Sequence, residues 1–313
     1  MIPFFFFLFG IVIGSFLNVC ITRIPEGESI VSPGSRCPRC KTLIKPYDNV
    51  PILGWLWLCG KCRNCSLPIS PMYPIIEFLT GTVFVLTFYT FGLTILTFKW
   101  LIFACLIIIL IVTDLRVRIL PDAIVWPGFG IGLVVATGIR PSQPPPFEDM
   151  LFERIQATAP KFFFNQTNPL YARLISGGFG LLDALIGAAV GAFLLWGAAT
   201  LYKFVRKRDG MGMGDVKMMA MVGSFMGLSG AFLTILFGTL LGTVIGSVFI
   251  VSLYLVGWNK DLATRAHRRG LGKLNSLRWT IVSQYQKPLG TFLGFAALFV
   301  VYALPFLASH FLR

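Results

Sequence analysis

Two aspartates stand where long apolar runs end, and together they could activate a water molecule. Asp215 follows the segment Gly210-Met211-Gly212-Met213-Gly214, where a basic loop gives way to an apolar run. Asp114 ends a second apolar run that begins at Cys105. A charged side chain costs about 2.5–3.5 kcal/mol at the bilayer centre, so an acid beside such a run is a functional candidate by default. Two carboxylates that hold one water can hydrolyse a peptide bond; otherwise they can form half of an ion or proton pathway.

The surroundings of Asp215 favour a reactive site over a purely structural acid. Glycine recurs at every second position before it, which lets the backbone take tight conformations and lets another chain approach closely. Lys217 follows and is expected to neutralise the site or to bind lipid phosphate. The two histidines, His267 and His310, lie in a basic loop and in the outer tail, so no convincing Ser-His-Asp or Cys-His arrangement remains.

Four cysteines form a second group with its own chemistry. Cys37 and Cys40 make one C-x-x-C pair, and Cys62 and Cys65 make another after 21 intervening residues. Two such pairs build the closed tetrahedral four-sulfur site typical of structural zinc, which leaves no open position for a reacting water. Disulfides are the alternative, but the segment is expected in the reducing cytoplasm. A second register, which pairs Cys59 with Cys62, would leave Cys65 unused.

Three further acids lie near apolar runs and have structural interpretations. Glu77 opens an apolar run and is expected to bond within the helix bundle. Asp122, after Pro121, is typical of a residue that caps a helix. Asp183 is expected to be a packing or interface acid.

The composition indicates a chain that lies mostly in lipid. Its 313 residues are 56% hydrophobic and 13% charged, with a mean hydropathy of +0.77, whereas soluble domains carry about 25% charged residues. A span needs about 20 apolar residues. We therefore predict an all-α polytopic membrane protein with about eight transmembrane helices. Their approximate limits are 3–21, 74–93, 97–113, 122–139, 178–203, 216–230, 232–257 and 289–309, with a tight turn at Gly227-Leu228-Ser229-Gly230.

The positive charge is explained by membrane orientation. No Lys or Arg precedes the first apolar run, and no small-residue cleavage site follows it, so the run is expected to remain as an anchor with its amino end outside. With that orientation, 21 of the 27 Lys and Arg residues fall in cytoplasmic segments and six fall outside. The formal charge of +14 therefore does not call for a nucleic-acid partner. The same topology places Asp114 and Asp215 on the cytoplasmic face.

Three parts of the chain follow from these patterns. We expect a first transmembrane helix at 1–21, a cytoplasmic zinc-binding module at 22–73 and a membrane domain with the two aspartates at 74–313. The membrane domain carries a proline- and phenylalanine-rich external insert at 140–177 and a basic cytoplasmic loop at 258–288. The favoured interpretation of that loop is non-specific contact with solvent or with phospholipid headgroups.

Taken together, these motifs resemble the bacterial type IV prepilin peptidase family. They occur in order along nearly the whole chain. Their combination is specific to the family, whereas the G-x-G-D motif alone would be weak evidence for it. The matching segments are Gly14-Ser15-Phe16-Leu17-Asn18-Val19, the two cysteine pairs, Asp48-Asn49-Val50-Pro51-Ile52-Leu53-Gly54-Trp55, Tyr73-Pro74-Ile75-Ile76-Glu77, Thr113-Asp114 with Leu120-Pro121-Asp122, and Gly212-Met213-Gly214-Asp215-Val216-Lys217.

The resemblance implies an activity, its residues and its partners. It implies an aspartic endopeptidase of the inner membrane that cleaves prepilin or pseudopilin leaders after a glycine, with Asp114 and Asp215 as catalytic pair. It implies zinc on Cys37, Cys40, Cys62 and Cys65. Methylation of the new amino terminus from S-adenosylmethionine is held from the resemblance alone, since the residues show no G-x-G-x-x-G motif for the donor.

The sequence departs from the family pattern in its long segments and near the last span, and it is compatible with two other classes of function. The insert and the basic loop exceed the family pattern, and Pro288-Leu289-Gly290-Thr291 stands where the family tends to have P-F-G-P. We expect these departures to affect substrate range and partner contacts but to leave the two aspartates alone. A proton-coupled transporter or channel with a regulatory zinc ribbon would use the same acids. A membrane anchor whose zinc ribbon binds a partner would need neither of the two aspartates.

Overall fold

The computed structural model describes residues 1–138, 180–207, 212–256 and 289–303. The predicted insert at 140–177 and the predicted basic loop at 258–288 lie outside these residues. The described part is helical, as predicted, and its only β-pairing is two isolated bridges in the cysteine module. The α-helices are α1 (Ile2–Arg23), α2 (Leu53–Trp57), α3 (Met72–Phe91), α4 (Ile95–Val117), α5 (Asp122–Gly138), α6 (Gly180–Arg206), α7 (Met213–Val256) and α8 (Leu289–Leu298). A π-helical turn, Phe299–Ala303, continues α8.

Five of these helices (α1, α3, α4, α6 and α7) are long and apolar enough to cross a membrane, judged by length and composition. Helices α5 and α8 are apolar but shorter within the described ranges. Helix α7 has 44 residues and is interrupted at Gly227, whose φ of 70° and ψ of −168° are not helical. An L side chain rarely adopts this φ, so glycine suits the break.

The chain reverses direction at Gly227, so α7 consists of two antiparallel arms. A Cβ built on Gly191 of α6 would lie 3.3 Å from the backbone oxygen of Met219 and 3.4 Å from Cβ of Ala231. A straight helix would separate those residues by about 18 Å. We name the arms α7a (213–226) and α7b (228–256). Counting each arm once and omitting the short α2, the described residues form eight apolar helices, and the break falls within the predicted turn.

Asp183 of α6 stabilises this reversal. Its Oδ1 accepts a hydrogen bond from the backbone N–H of Leu228, the first residue of α7b, at 3.1 Å. The first N–H groups of a helix have no partner within it, and a carboxylate is a preferred acceptor for them. Here the capping oxygen comes from a neighbouring helix. Asp183 is therefore a packing acid, as predicted.

Helix α4 lies at the centre of the described bundle and carries Asp114 near its carboxyl end. It is apolar on all sides, which is typical of a fully surrounded helix; Phe103, Ile107 and Leu110 have no exposed surface. The ring of Phe103 packs against Phe225 of α7a at 5.1 Å between centroids. Packing on every side fixes the position and rotation of α4 and therefore of the acid at its end.

Helices α1 and α3 approach closely through small residues. A Cβ on Gly10 would lie 2.7 Å from Cα of Gly81, and one on Gly14 would lie 2.7 Å from Cα of Glu77. Small residues four positions apart let two membrane helices pack backbone to backbone. The cysteine module connects α1 to α3. The close packing of these two helices therefore fixes the positions at which the module begins and ends.

Candidate active site

Asp114 lies three residues before the end of α4 and is 6% exposed. Its Oδ2 accepts two hydrogen bonds from Thr291 on α8, from the backbone N–H at 2.7 Å and from the hydroxyl at 2.8 Å. The segment Pro288-Leu289-Gly290-Thr291, which departs from the family pattern, therefore contacts Asp114 directly. A proline at position 291 would have neither donor. Sequence reasoning noticed this segment but missed its contact with Asp114.

Asp215 lies in the first turn of α7a and is 8% exposed. Its carboxylate interacts with the backbone N–H groups of Gly212 and Gly290 and with the charge of Asp114. The predicted glycine approach thus supplies backbone donors to the acid. The amino ends of two helices, α7a and α8, contribute these donors, and helix amino ends favour negative charge.

Gly290 lies between the two acids. A Cβ on this residue would lie 3.0 Å from Oδ1 of Asp215 and 3.1 Å from Oδ2 of Asp114. The two oxygens are therefore within about 6 Å of each other, the range in which one carboxylate opposes ionisation of the other. Although 101 positions separate them in sequence, the structure brings Asp114 and Asp215 together at the same end of the bundle.

Lys217 has a different partner from those expected. Its Nζ donates to both oxygens of Asp122, at 2.9 and 2.8 Å, so it neutralises neither aspartate of the pair. Asp122 begins α5, and the ion pair links that helix to α7a beside the site. A Cβ on Gly214 would lie 3.1 Å from Cβ of Leu120, which packs the α4–α5 connection against the same turn.

The four predicted cysteines meet in one cluster. The sulfur atoms of Cys37, Cys40, Cys62 and Cys65 all lie within 4.8 Å of one another, and the Cys37–Cys65 and Cys40–Cys62 pairs are 3.9 Å apart. Zn–S bonds of about 2.3 Å in a tetrahedron place sulfurs about 3.8 Å apart, so this donor set fits a four-thiolate metal ion. Cys59 is exposed and lies outside the cluster, so the alternative register is wrong.

The cluster is built from two equivalent turns. Cys37 N–H donates to the Thr42 carbonyl at 3.0 Å, and Cys62 N–H donates to the Leu67 carbonyl at 2.9 Å. A hydrogen bond with the Thr42 side chain is the main interaction that lowers the pKa of Cys40, to about 6. Backbone N–H groups, that of Cys65 first, lower the pKa of Cys62. Donors aimed at these sulfurs favour the thiolate, which is the form that binds metal.

A buried acid holds the module on the bundle. Glu77 of α3 is 7% exposed, and its Oε2 accepts the backbone N–H of Ile52 at 2.7 Å. Ile52 has a φ of 59°, which is rare for a β-branched residue, and Leu53 N–H bonds back to the Pro51 carbonyl at 2.6 Å. This tight turn aims the Ile52 N–H at Glu77. The predicted bonding of Glu77 within the bundle thus extends to the module.

A cavity of about 590 Å³ lies between the module and the helices. Its walls come from α1, α3, the cysteine turns and the end of α4, where Arg116 contributes. Glu77 lines it on the bundle side and Trp55 on the module side. Arg116 follows Asp114 by two residues, so the cavity and the aspartate pair are at the same end of the molecule.

Comparison with known proteins gives two family matches and several related chains. Residues 8–91 match the bacterial peptidase A24 N-terminal domain, and residues 162–247 match the type IV leader peptidase family. A prepilin leader peptidase/N-methyltransferase of Klebsiella pneumoniae is 31% identical over 71% of this chain and 84% of its own length. The chain belongs to the type IV leader peptidase family.

Two further relatives have the same name. The Neisseria gonorrhoeae protein is 30% identical over 78% of this chain and 80% of its own length. The Myxococcus xanthus protein is 33% identical over 79% of this chain, which spans 63% of that relative. No solved structure matches. Of the sites in this leader peptidase family member, the cysteine cluster falls in the first match and Asp215 in the second, while Asp114 falls between them.

Proposed function

We propose that this protein is a membrane aspartic endopeptidase that removes the leader of type IV prepilins or pseudopilins and then methylates the new amino terminus. The observation that carries the proposal is the pair of buried carboxylates, Asp114 and Asp215, on either side of Gly290. Their proximity supports acid–base chemistry on a single water. Family membership supports a leader peptide as the substrate.

The hydrogen bonds favour different roles for the two acids. Two like charges this close do not both ionise easily, so the pair shares a proton. Asp114 receives an N–H and a hydroxyl on one oxygen at distances typical of bonds to an anion. Asp215 also receives backbone N–H groups, but it is buried next to the charge of Asp114, which opposes its ionisation. We therefore assign Asp114 as the ionised base and Asp215 as the protonated acid.

The reaction then follows ordinary acid–base hydrolysis. Asp114 takes a proton from the water, and the water oxygen attacks the scissile carbonyl carbon. Asp215 donates its proton to the developing oxyanion. In the collapse step the peptide C–N bond breaks, and the leaving amine takes a proton from the pair. The glycine at position 290 leaves room for the substrate backbone between the two carboxylates, since any larger residue would occupy that space.

The position of the site suits a substrate that remains partly in the membrane. The aspartates lie at helix ends, beside the module. The distribution of Lys and Arg supports a cytoplasmic location for this end and an outside amino terminus. A hydrophobic substrate helix could stay in the bilayer while its short leader reaches the acids. We place the protein in the bacterial inner membrane on these grounds.

Zinc and a methyl donor complete the proposal. The four thiolates would hold a structural zinc, because a closed four-sulfur site leaves no position for substrate. The relatives are named N-methyltransferases, which supports a methyl-transfer step. S-adenosylmethionine would supply the methyl group. The new amino terminus must lose a proton to act as the nucleophile.

Mass spectrometry of one reaction tests both activities. Detergent-purified protein is incubated with a prepilin-like substrate and S-adenosylmethionine, in parallel with D114N and D215N variants that keep the size of each side chain. We expect the wild type to release the leader and add one methyl, and both variants to release none. Undiminished cleavage by either variant would refute the assignment of the pair.

A further inference from the structure

The cavity between module and bundle contains an acid, Glu77, whose carboxylate contacts no cation among the residues that the structure describes. Glu77 lies in the wall, and the groups that contact its carboxylate are the Ile52 N–H and the side chains of Ser15 and Asn18. All three are neutral donors. A buried carboxylate is normally paired with a cation or protonated, so this one is suited to a positively charged ligand.

Five other charged groups in the cavity wall have partners of their own, while Glu26, Lys41, Lys45 and Arg116 also line it. Arg36 pairs with Glu28 at 2.8 Å, and Arg63 pairs with Asp48 at 2.6 Å. Arg23 donates to the carbonyls of Ser29 and Gly34, both at 3.0 Å. Among the described residues that line the cavity, Glu77 is thus a buried carboxylate without a cationic partner, whereas Asp48 is paired with Arg63.

The size and lining of the cavity indicate a ligand with an aromatic part. A volume of about 590 Å³ is in the range of small-molecule sites, which are typically about 300–1,000 Å³. Trp55 and Tyr73 line it, and Arg116 reaches it from α4. A planar ring system, a cation and a carboxylate on one ligand would each find a complementary group here.

We propose that this cavity binds the methyl donor, a zwitterionic adenosyl sulfonium, and that Glu77 pairs with the sulfonium charge. The inference rests on the proposed methyl-transfer activity and gives that activity a site. Trp55 and Tyr73 provide surfaces for the adenine ring, and Arg116 faces the donor's carboxylate. The same arginine marks the side of the cavity nearest the aspartate pair, from which the new amino terminus would come.

The transfer step places specific demands on this site. The lone pair of the deprotonated amine attacks the methyl carbon, the carbon–sulfur bond breaks, and its electron pair stays on sulfur. The donor thereby becomes a neutral thioether, and the methylated amine carries the positive charge. The charge next to Glu77 thus disappears from the donor when the methyl leaves, so Glu77 should distinguish the donor from its thioether product.

That difference provides a test that does not depend on turnover. Dissociation constants for S-adenosylmethionine and S-adenosylhomocysteine are measured by calorimetry on the full chain in detergent. The E77Q variant keeps an oxygen that can accept the Ile52 N–H but removes the charge. We expect it to weaken S-adenosylmethionine binding about tenfold or more and S-adenosylhomocysteine binding much less. The E26Q variant, an exposed acid on the same cavity, should leave both unchanged.

Equal weakening of both ligands would show that Glu77 only holds the module and would overturn the inference. So would unchanged binding of both. If E77Q does not fold, photocrosslinking of wild type to labelled S-adenosylmethionine decides: label on peptides with Trp55 or Tyr73 supports the site, and label elsewhere refutes it. If the wild type methylates its product and E77Q binds S-adenosylmethionine as tightly as the wild type does, only this inference is refuted. If the wild type cleaves the leader but neither binds S-adenosylmethionine nor transfers a methyl group, the proposed methyl-transfer step itself is refuted.

Discussion

Thr291 donates both its backbone N–H and its hydroxyl to Oδ2 of Asp114, at 2.7 and 2.8 Å. The contact joins the central helix α4 to the first turn of α8. Helices α4 and α8 also touch one turn further along, where Gly294 meets Ile111. That close approach keeps Thr291 level with Asp114. The orientation of one acid of the pair is thus set by a residue 177 positions away.

Replacement of Thr291 should slow leader cleavage without preventing folding. T291V keeps the side-chain shape and the N–H but removes the hydroxyl, and a hydrogen bond to a charged group contributes about 1.5–3 kcal/mol. We expect kcat to fall about tenfold to a hundredfold with little change in KM, because Thr291 contacts the acid. T291S should restore most of the rate. Equal rates for the valine and serine variants would contradict a role for the hydroxyl.

An alanine at position 290 should abolish cleavage. Its Cβ would lie 3.0 and 3.1 Å from oxygens of the two aspartates, closer than nine in ten real Cβ contacts, so at least one carboxylate must shift by a few tenths of an ångström. The matched control is G130A, since a Cβ there meets nothing within 4 Å. We expect G130A to cleave a prepilin-like peptide at the wild-type rate and G290A to show no product. Full activity of G290A would mean that the carboxylates need not flank this position.

The α7 reversal should depend on the Asp183 cap. D183A removes the acceptor for Leu228 N–H, and loss of a helix cap costs about 0.5–2 kcal/mol. We expect a lower thermal midpoint in detergent for D183A and a smaller change for D183N, whose amide oxygen can still accept. G227A should destabilise more than either, because it combines an unfavourable φ with a Cβ directed at Asp183. An unchanged midpoint for D183A would show that the cap is dispensable.

The helices, the cysteine cluster and the turn at Gly227 follow from local sequence patterns. Apolar runs of span length and C-x-x-C pairs have few structural solutions, so the spans and the four sulfurs could be predicted. The pattern C-x-x-C-x-x-x-I-x-P, at Cys37–Pro46 and again at Cys62–Pro71, also carries the equivalence of the two turns. Sequence reasoning missed that repeat, although it was readable.

The contacts around the aspartates could not be obtained in this way. Thr291 meets Asp114, and Lys217 meets Asp122, only because helices far apart in sequence pack in a particular register. The bond from Ile52 to Glu77 likewise needs a backbone conformation that an isoleucine rarely adopts. Such contacts result from tertiary packing, and a single sequence has no local pattern that specifies them.

Loss of the metal should impair methyl addition more than leader cleavage. The module forms one wall of the cavity, whereas the aspartate pair is built from α4, α7a and α8. C40S removes one of four thiolates, and small modules with such sites lose their fold without metal. We expect C40S to retain no zinc by elemental analysis, to clip the leader measurably and to add little or no methyl.

The control for this experiment is C59S. Cys59 is exposed, lies outside the cluster and precedes Cys62 by three residues, so it tests whether any cysteine in the segment is needed. We expect C59S to keep about one zinc per chain and both activities. Zinc retention by C40S together with zinc loss in C59S would contradict the four-sulfur assignment. Parallel loss of cleavage and methylation in C40S would instead mean that the module also supports the aspartate pair.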